Sequence, residues 1–377
     1  MSGPARLGPG WRSPAGTPVS EAGEFGLIER LRGRVEAAVR AAGGPVAAGA
    51  DLVLGIGDDA AVYRPAPGRD LLLTCDVQVL GRHFRPEWID PRTLGRRCAA
   101  VNVSDIGAMG GSSRLAIVSL AIGPQISVED LEAIYGGMLE RLLPLGATIA
   151  GGNVSGLDSG LVLDVTLVGE VEAGCAVGRR GSRPGDEVWV TGFPGAAAAG
   201  LALLGMPEGR RGGTGGDEAG AEAAVLAYLD PPARPREGLR LGRSGAIHAM
   251  IDVSDGLAQD LGHLVEDGSA GAVLWEESLP VGPAVAAAAQ RLGVPPLALV
   301  LSASDDYELL FTVPPERASE AIAQLRSVSD VPAHRIGAIV EEPRGEVRVV
   351  RRDGSSIRPA GAGWDHFRQD RGRRSPG

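Results

Sequence analysis

Five acidic clusters stand where apolar runs end. Asp58 and Asp59 follow a Gly turn in GIGDDAAVY, and Thr74 and Asp76 close LLLTCDV. Asn102, Ser104 and Asp105 lie in VNVSDIGAMG, and Asp252, Ser254 and Asp255 in IDVSDGLAQD. Asp305, Asp306 and Glu308 lie in SASDDYELLF. Hard divalent cations take oxygen ligands, and Mg²⁺ at phosphate sites takes one or two carboxylates plus phosphate oxygens. Any one cluster also reads as a helix cap or a turn. Their number points to a polyphosphate held by magnesium. The chain's basic residues point the same way: all 37 are arginine. That excludes the P-loop lysine, the protein-kinase lysine and every Schiff-base mechanism. Phosphate must then be neutralised by metal, arginine and backbone N–H groups.

VNVSDIGAMG and IDVSDGLAQD share a side-chain oxygen at i, Ser at i+2 and Asp at i+3. If a strand ends and a helix begins there, i and i+3 fall on one face of the first turn. Both halves of the chain would then present the same device to a shared site. Gly151-Gly152 in ATIAGGNVSG follows an apolar strand, and a turn there would let N–H groups approach a phosphate. Arg179 and Arg180 could clamp phosphate bidentately. His83, seven residues after Asp76, either orients a substrate phosphate or lines a wall. TGFPGAAAAG (191–200) lacks both the Walker and the Rossmann spacing and reads as a structural turn.

These residues need a scaffold, and 377 residues suffice for two or three domains. Alternating strand and helix signals predict an α+β, mixed α/β protein with a boundary near 172–186. Helices are expected over 26–42, 91–109, 195–204, 256–267 and near 315–325, and another after a Ser127–Asp130 capping box. Strands are expected over 51–56, 70–76, 114–122, 161–171, 187–191, 249–253, 308–313 and 336–340. The division is 1–21 disordered tail, 22–172 N-terminal α/β domain, 173–367 C-terminal α/β domain, and 368–377 disordered basic tail. The Gly-rich stretch 208–222 is expected to be a long surface loop.

The net charge of −10 argues against nucleic-acid and membrane-surface partners. Cys75, Cys98 and Cys175 are odd in number and widely spaced, which reads as reduced thiols. No apolar run reaches membrane-helix length, and the N-terminus has no signal-like apolar segment. The expected compartment is the cytoplasm.

In order along the chain, GEFGLIERL, GIGDDAAV, TCDVQVLGRHF, AVNVSDIGAMG, GGNVS, IDVSDGLAQDLGH, DDYELLFTV and GWDHF resemble the bacterial thiamine-monophosphate kinases. That family lies within the aminoimidazole-ribonucleotide-synthetase-like superfamily. The resemblance spans about Gly23 to Phe367. It implies a two-domain architecture of that superfamily and a homodimer formed through the N-terminal domains. It implies phosphorylation of thiamine monophosphate by ATP, using several Mg²⁺ ions, direct in-line transfer and no catalytic protein base. By position, Asp59, Thr74, Asp76, Asp105, Asp252 and Asp255 correspond to metal ligands. Gly152, Arg179 and Ser254 correspond to nucleotide contacts, and His83, Asp305 and Trp364 to substrate contacts.

Three departures stand out. Asn153 replaces a metal-binding Asp, keeping one carbonyl oxygen for metal and nucleotide but losing the charge. Cys75 replaces Thr. Ala303-Ser304-Asp305 replaces Gly-Gly-Glu. The changes at Asn153 and 303–305 keep open a paralogue that binds nucleotide or thiamine phosphate without turnover, and another ATP-dependent enzyme of the superfamily is a separate alternative.

Overall fold

The computed structural model describes residues 10, 11, 15–43, 51–207 and 217–359. The N-terminal half contains α1 (Val19–Ala41), β1 (Leu52–Leu54), β2 (Val62–Tyr63), β3 (Arg69–Val79), α2 (Pro91–Ala108), β4 (Ser112–Ile122), α3 (Val128–Leu142), β5 (Thr148–Gly156) and β6 (Leu161–Glu172). Its four-stranded sheet runs β3-β6-β4-β5. The strands alternate cleanly. On β6, Leu161, Leu163, Val165 and Leu167 are buried while the residues between them are partly exposed. The buried face packs under the helices in one core that includes Leu94, Leu131, Ile134 and Met138.

Two helix starts follow directly from residue chemistry. Asp90 caps α2 by accepting from the N–H groups of Arg92 and Thr93, with Pro91 in the first turn. Ser127 and Asp130 form the expected capping box of α3.

The C-terminal half contains β7 (Glu187–Thr191), α4 (Ala196–Leu204), α5 (Glu218–Leu229), α6 (Pro235–Ser244), β8 (Ala249–Asp252), α7 (Leu257–His263), β9 (Gly271–Trp275), α8 (Pro283–Leu292), α9 (Pro296–Val300), β10 (Leu309–Val313), α10 (Pro315–Arg326), β11 (Ala333–Val340), β12 (Val347–Val350) and β13 (Ser356–Ile357). Its seven-stranded sheet runs β13-β12-β9-β11-β7-β10-β8, antiparallel except for β9–β12. Each face meets a separate core. Val188, Val190, Ile251 and Leu310 face one, and Met250, Leu309, Phe311 and Val313 the other.

α2 joins the halves. Fifteen of its eighteen residues are buried, so it is enclosed on nearly all sides. Its Ala108 belongs to the second core of the C-terminal half. Arg96 pairs with Asp230, and Arg97 with Asp305.

Two expectations about loose segments are corrected. Part of the expected N-terminal tail is packed. Trp11 is buried and donates its indole N–H to the Ile89 carbonyl at 2.9 Å, and Thr17 donates to Glu129. A large apolar ring with a satisfied donor outweighs the Gly/Pro-rich composition around it. The expected 208–222 loop ends earlier, because Asp217 caps α5 through the Gly220 N–H. The 368–377 tail lies outside the described residues, as does Trp364. Among the described residues, no helix is long and apolar enough to cross a membrane.

Candidate active site

Three of the acidic clusters converge where α2 meets both sheets. On β3, Thr74 and Asp76 project toward α2, and the Thr74 hydroxyl donates to the Asp105 carboxylate. The Ser104 hydroxyl donates across the domain junction to Asp252 Oδ2 at 2.5 Å. Burial and the Asp105 charge push Asp76 up to about 7 and Asp252 up to about 8. Burial raises Asp105 as well, and Arg179 opposes it. Asn102 donates to the Cys98 carbonyl, but its buried Oδ1 has no hydrogen-bond partner among the described residues.

This donor set consists of hard oxygens held against desolvation and mutual repulsion. A divalent cation relieves both, so the residues fit Mg²⁺.

The two halves do not present one repeated device, and that expectation is corrected. Asn102 and Asp105 lie about three and four turns inside α2, because the Asp90 cap starts that helix far upstream. Asp252 ends β8, and Ser254 and Asp255 form the turn before α7. Asp255 lies with Asp260 and His263, their ligand atoms within 4.8 Å of one another. Asp260 is itself pushed up to about 7 by burial, and its charge bears on Asp252. Arg179 is exposed in the inter-domain connection.

Gly152, Asn153 and Asp59 belong to a different place. Gly151 and Gly152 are not in a turn. They lie inside β5, paired with Ile117 and Val118 of β4. A Cβ on Gly152 would sit 2.0 Å from the Val118 carbonyl, so glycine serves close strand packing there. Asp59 is exposed in the β1–β2 connection, and Gly55 of the same segment lies near the Ala150 carbonyl of β5. β5 and β3 are opposite edges of the sheet, three strand spacings or about 14 Å apart. Within one chain these residues do not join the carboxylate cluster.

Asn153 also occupies the other face of the sheet. Val77, Asp164, Ser119 and Asn153 form one row across the strands. That face is open and apolar toward β3, with Leu71, Leu73 and Val77 exposed. Cys75 points the same way, its thiol donating to Asp164 at 3.0 Å. Strand alternation thus removes Cys75 from the carboxylate cluster.

The remaining residues build a wall between the domains. His83 Nδ1 accepts from the Val79 N–H, and the His83 carbonyl accepts weakly from the Tyr228 hydroxyl at 3.5 Å. Buried Arg97 stacks over the Tyr228 ring at 4.8 Å, donates to the Tyr228 carbonyl and pairs with Asp305. His83 and Asp305 are brought together through Tyr228 and Arg97.

The other acids of the 302–308 segment are structural. Asp306 accepts from the N–H groups of Gly195 and Ala197 at the α4 N-terminus, and Ser304 from Ala198. Glu308 pairs with Arg234. The 191–200 segment is accordingly a capped strand-to-helix turn. Arg97, Tyr228 and Asp260 escape a sequence reading. Only the placement of Asp260 within the first turn of a helix after Ser-Asp-Gly signals a capping acid.

Two family models match. The N-terminal domain of AIR synthase related protein matches residues 57–171, and its C-terminal domain residues 183–350. Thiamine-monophosphate kinase of Escherichia coli O157:H7 is 33% identical over 347 residues, 92% of this chain and 98% of that protein. The Bacillus subtilis strain 168 protein of the same name is 31% identical, covering 84% and 94%. The crystal structure of thiamine-monophosphate kinase from Stenotrophomonas maltophilia K279a superposes with a TM-score of 0.70 at 31% identity, covering 89% and 98%. A structure described as AaThiL complexed with AMPPCP and TMP gives 0.67 at 31% identity, covering 92% and 98%.

Proposed function

Because the chain belongs to the AIR synthase related family, and within it to the thiamine-monophosphate kinases, we propose that it uses ATP to phosphorylate thiamine monophosphate to thiamine diphosphate. The observation that carries this reading is the convergence of Thr74, Asp76, Asp105 and Asp252 from β3, α2 and β8 onto one point between the domains. Those four residues and Asp255 would hold Mg²⁺. Bound Mg²⁺ supplies the neutralisation of polyphosphate charge that a chain without lysine otherwise lacks.

The protein's own residues have positioning tasks. Arg179, whose charge acts on Asp105, and Ser254, in the turn after Asp252, bind the nucleotide phosphates. His83, Asp305 and Trp364 serve the substrate end. In the wall between the domains, Asp305 acts through Arg97, which it pairs, and Arg97 through Tyr228, on which it stacks. A phosphate-monoester acceptor has its second pKa near 6 and is already ionised at neutral pH, so no protein base is needed. Its oxygen forms the new bond to the γ-phosphorus as the β–γ bridging bond breaks, releasing ADP.

The working unit is a homodimer through the open N-terminal face. Leu71, Leu73 and Val77 supply its apolar contact, and a second copy offers its β5 edge, with Asp59, Gly152 and Asn153, to the first. ATP as co-substrate supports a cytoplasmic location.

The test is chromatographic detection of thiamine diphosphate from thiamine monophosphate, ATP and Mg²⁺. Asn153 favours a second reading, a binding paralogue without turnover. An inactive wild type restored by Asn153→Asp would establish that reading. Inactivity of both would overturn the substrate assignment.

A further inference from the structure

The turn Ser254-Asp255-Gly256 points three consecutive N–H groups inward. All three donate to one atom, Asp260 Oδ2, each at 3.0 Å. Such a nest of amides ordinarily receives an external anion. Here it is filled by the chain's own carboxylate, which is 1% exposed on α7. Gly256 makes the arrangement possible, with φ 118° and the Ser302 carbonyl 2.6 Å from where a Cβ would stand. The amides of this turn are therefore not free to bind phosphate. Anything the turn contributes to a nucleotide passes through the side chains of Ser254 and Asp255.

We infer that Asp260 is a positioning residue: by saturating the 254–256 amides it holds the Asp255 carboxylate on the metal side of the turn. The inference rests on the reading of Asp255 as a metal ligand. Asp260→Asn keeps an acceptor oxygen in place. Asp260→Glu keeps the charge but displaces the carboxylate by one methylene, and Asp260→Ala removes both.

Three readouts are needed: Mg²⁺-dependent ADP binding by calorimetry, melting temperature, and hydrogen exchange of a peptide covering 250–262. In Asp260→Ala and Asp260→Glu, amide protection at 254–256 falls and the Mg²⁺ needed for half-maximal ADP binding rises by about 10-fold or more. Asp260→Asn retains protection and most of the affinity, and KM for thiamine monophosphate is unchanged in all three. If Asp260→Ala does not fold, the contrast between Asn and Glu decides.

If Asp260→Asn loses Mg²⁺ affinity while its amides stay protected, Asp260 is a ligand and the inference fails. It also fails if the variants lower only the melting temperature. An Asp255→Ala control that still binds Mg²⁺·ADP normally would instead overturn the reading of Asp255 itself.

Discussion

Asp252 offers the sharpest test of the carboxylate cluster, because burial favours a proton on it in the metal-free folded protein. Its folded value of about 8 lies above its ordinary value of 3.8, owing first to burial and then to Asp105. Stability from this group is fully present below the unfolded value and is lost as the pH rises toward the folded one. A carboxylate that takes up one proton on folding changes stability by about 1.4 kcal/mol per pH unit in that window. Between about pH 5.5 and 7.0, Asp252 alone therefore costs roughly 2 kcal/mol. For a unit of this size that is a fall in Tm of roughly 4–8 °C. Asp252→Asn keeps the shape and the acceptor for Ser104 but needs no proton. Its Tm in chelator should therefore fall less over the same range. The residual slope belongs to the other buried carboxylates raised by burial, Asp76 and Asp260 to about 7 and Asp306 to about 6. Mg²⁺ requires the ionised carboxylates, so the stabilisation it brings to the wild type should grow from pH 6 to 8. The variant should show little of it. Differential scanning calorimetry across pH, with chelator or Mg²⁺, makes the comparison. Parallel slopes for wild type and variant in chelator would refute the reasoning, because Asp252 would then not carry the buried proton.

Asn153→Asp adds a carboxylate on the β5 edge and should lower several-fold the Mg²⁺ concentration for half-maximal rate. Steady-state assays over a Mg²⁺ series decide, and an unchanged requirement removes position 153 from the metal. Leu73→Arg places a charge in the open apolar face, where Leu73 is 71% exposed. It should yield a folded monomer by light scattering with little kinase activity, and an unchanged mass in both proteins counts against that face as the dimer contact. Gly95→Ala should destabilise by about 3 kcal/mol in denaturant unfolding, because its Cβ would lie 1.9 Å from the Ile134 carbonyl where α2 and α3 cross. A near-neutral effect would mean that the helices separate freely.

Local rules carried much of the fold. Ser127 and Asp130 announce the start of α3 because a capping box is a contact between residues three apart. β6 is legible because one buried face imposes a period of two. The absence of lysine, visible by inspection, confined phosphate chemistry to metal, arginine and amides. Composition failed where one long-range contact outweighs it, as at Trp11.

The acidic motifs show where the sequence stops. Their residue types, by themselves, determined that hard-oxygen metal chemistry was available. They could not sort ligands from anchors, because an aspartate that caps a helix and one that waits for a cation are chemically the same. Only the tertiary structure decided that Asp76, Asp105 and Asp252 meet, while Asp306 caps α4 and Asp305 neutralises Arg97. It also placed Thr74 and Cys75, adjacent in sequence, on opposite faces of β3, and put Asn153 at the far edge of the same sheet. The physical reason is that helix and strand periods set which residues share a face within an element. Which faces meet is set by the burial of α2 between two sheets that lie far apart along the chain.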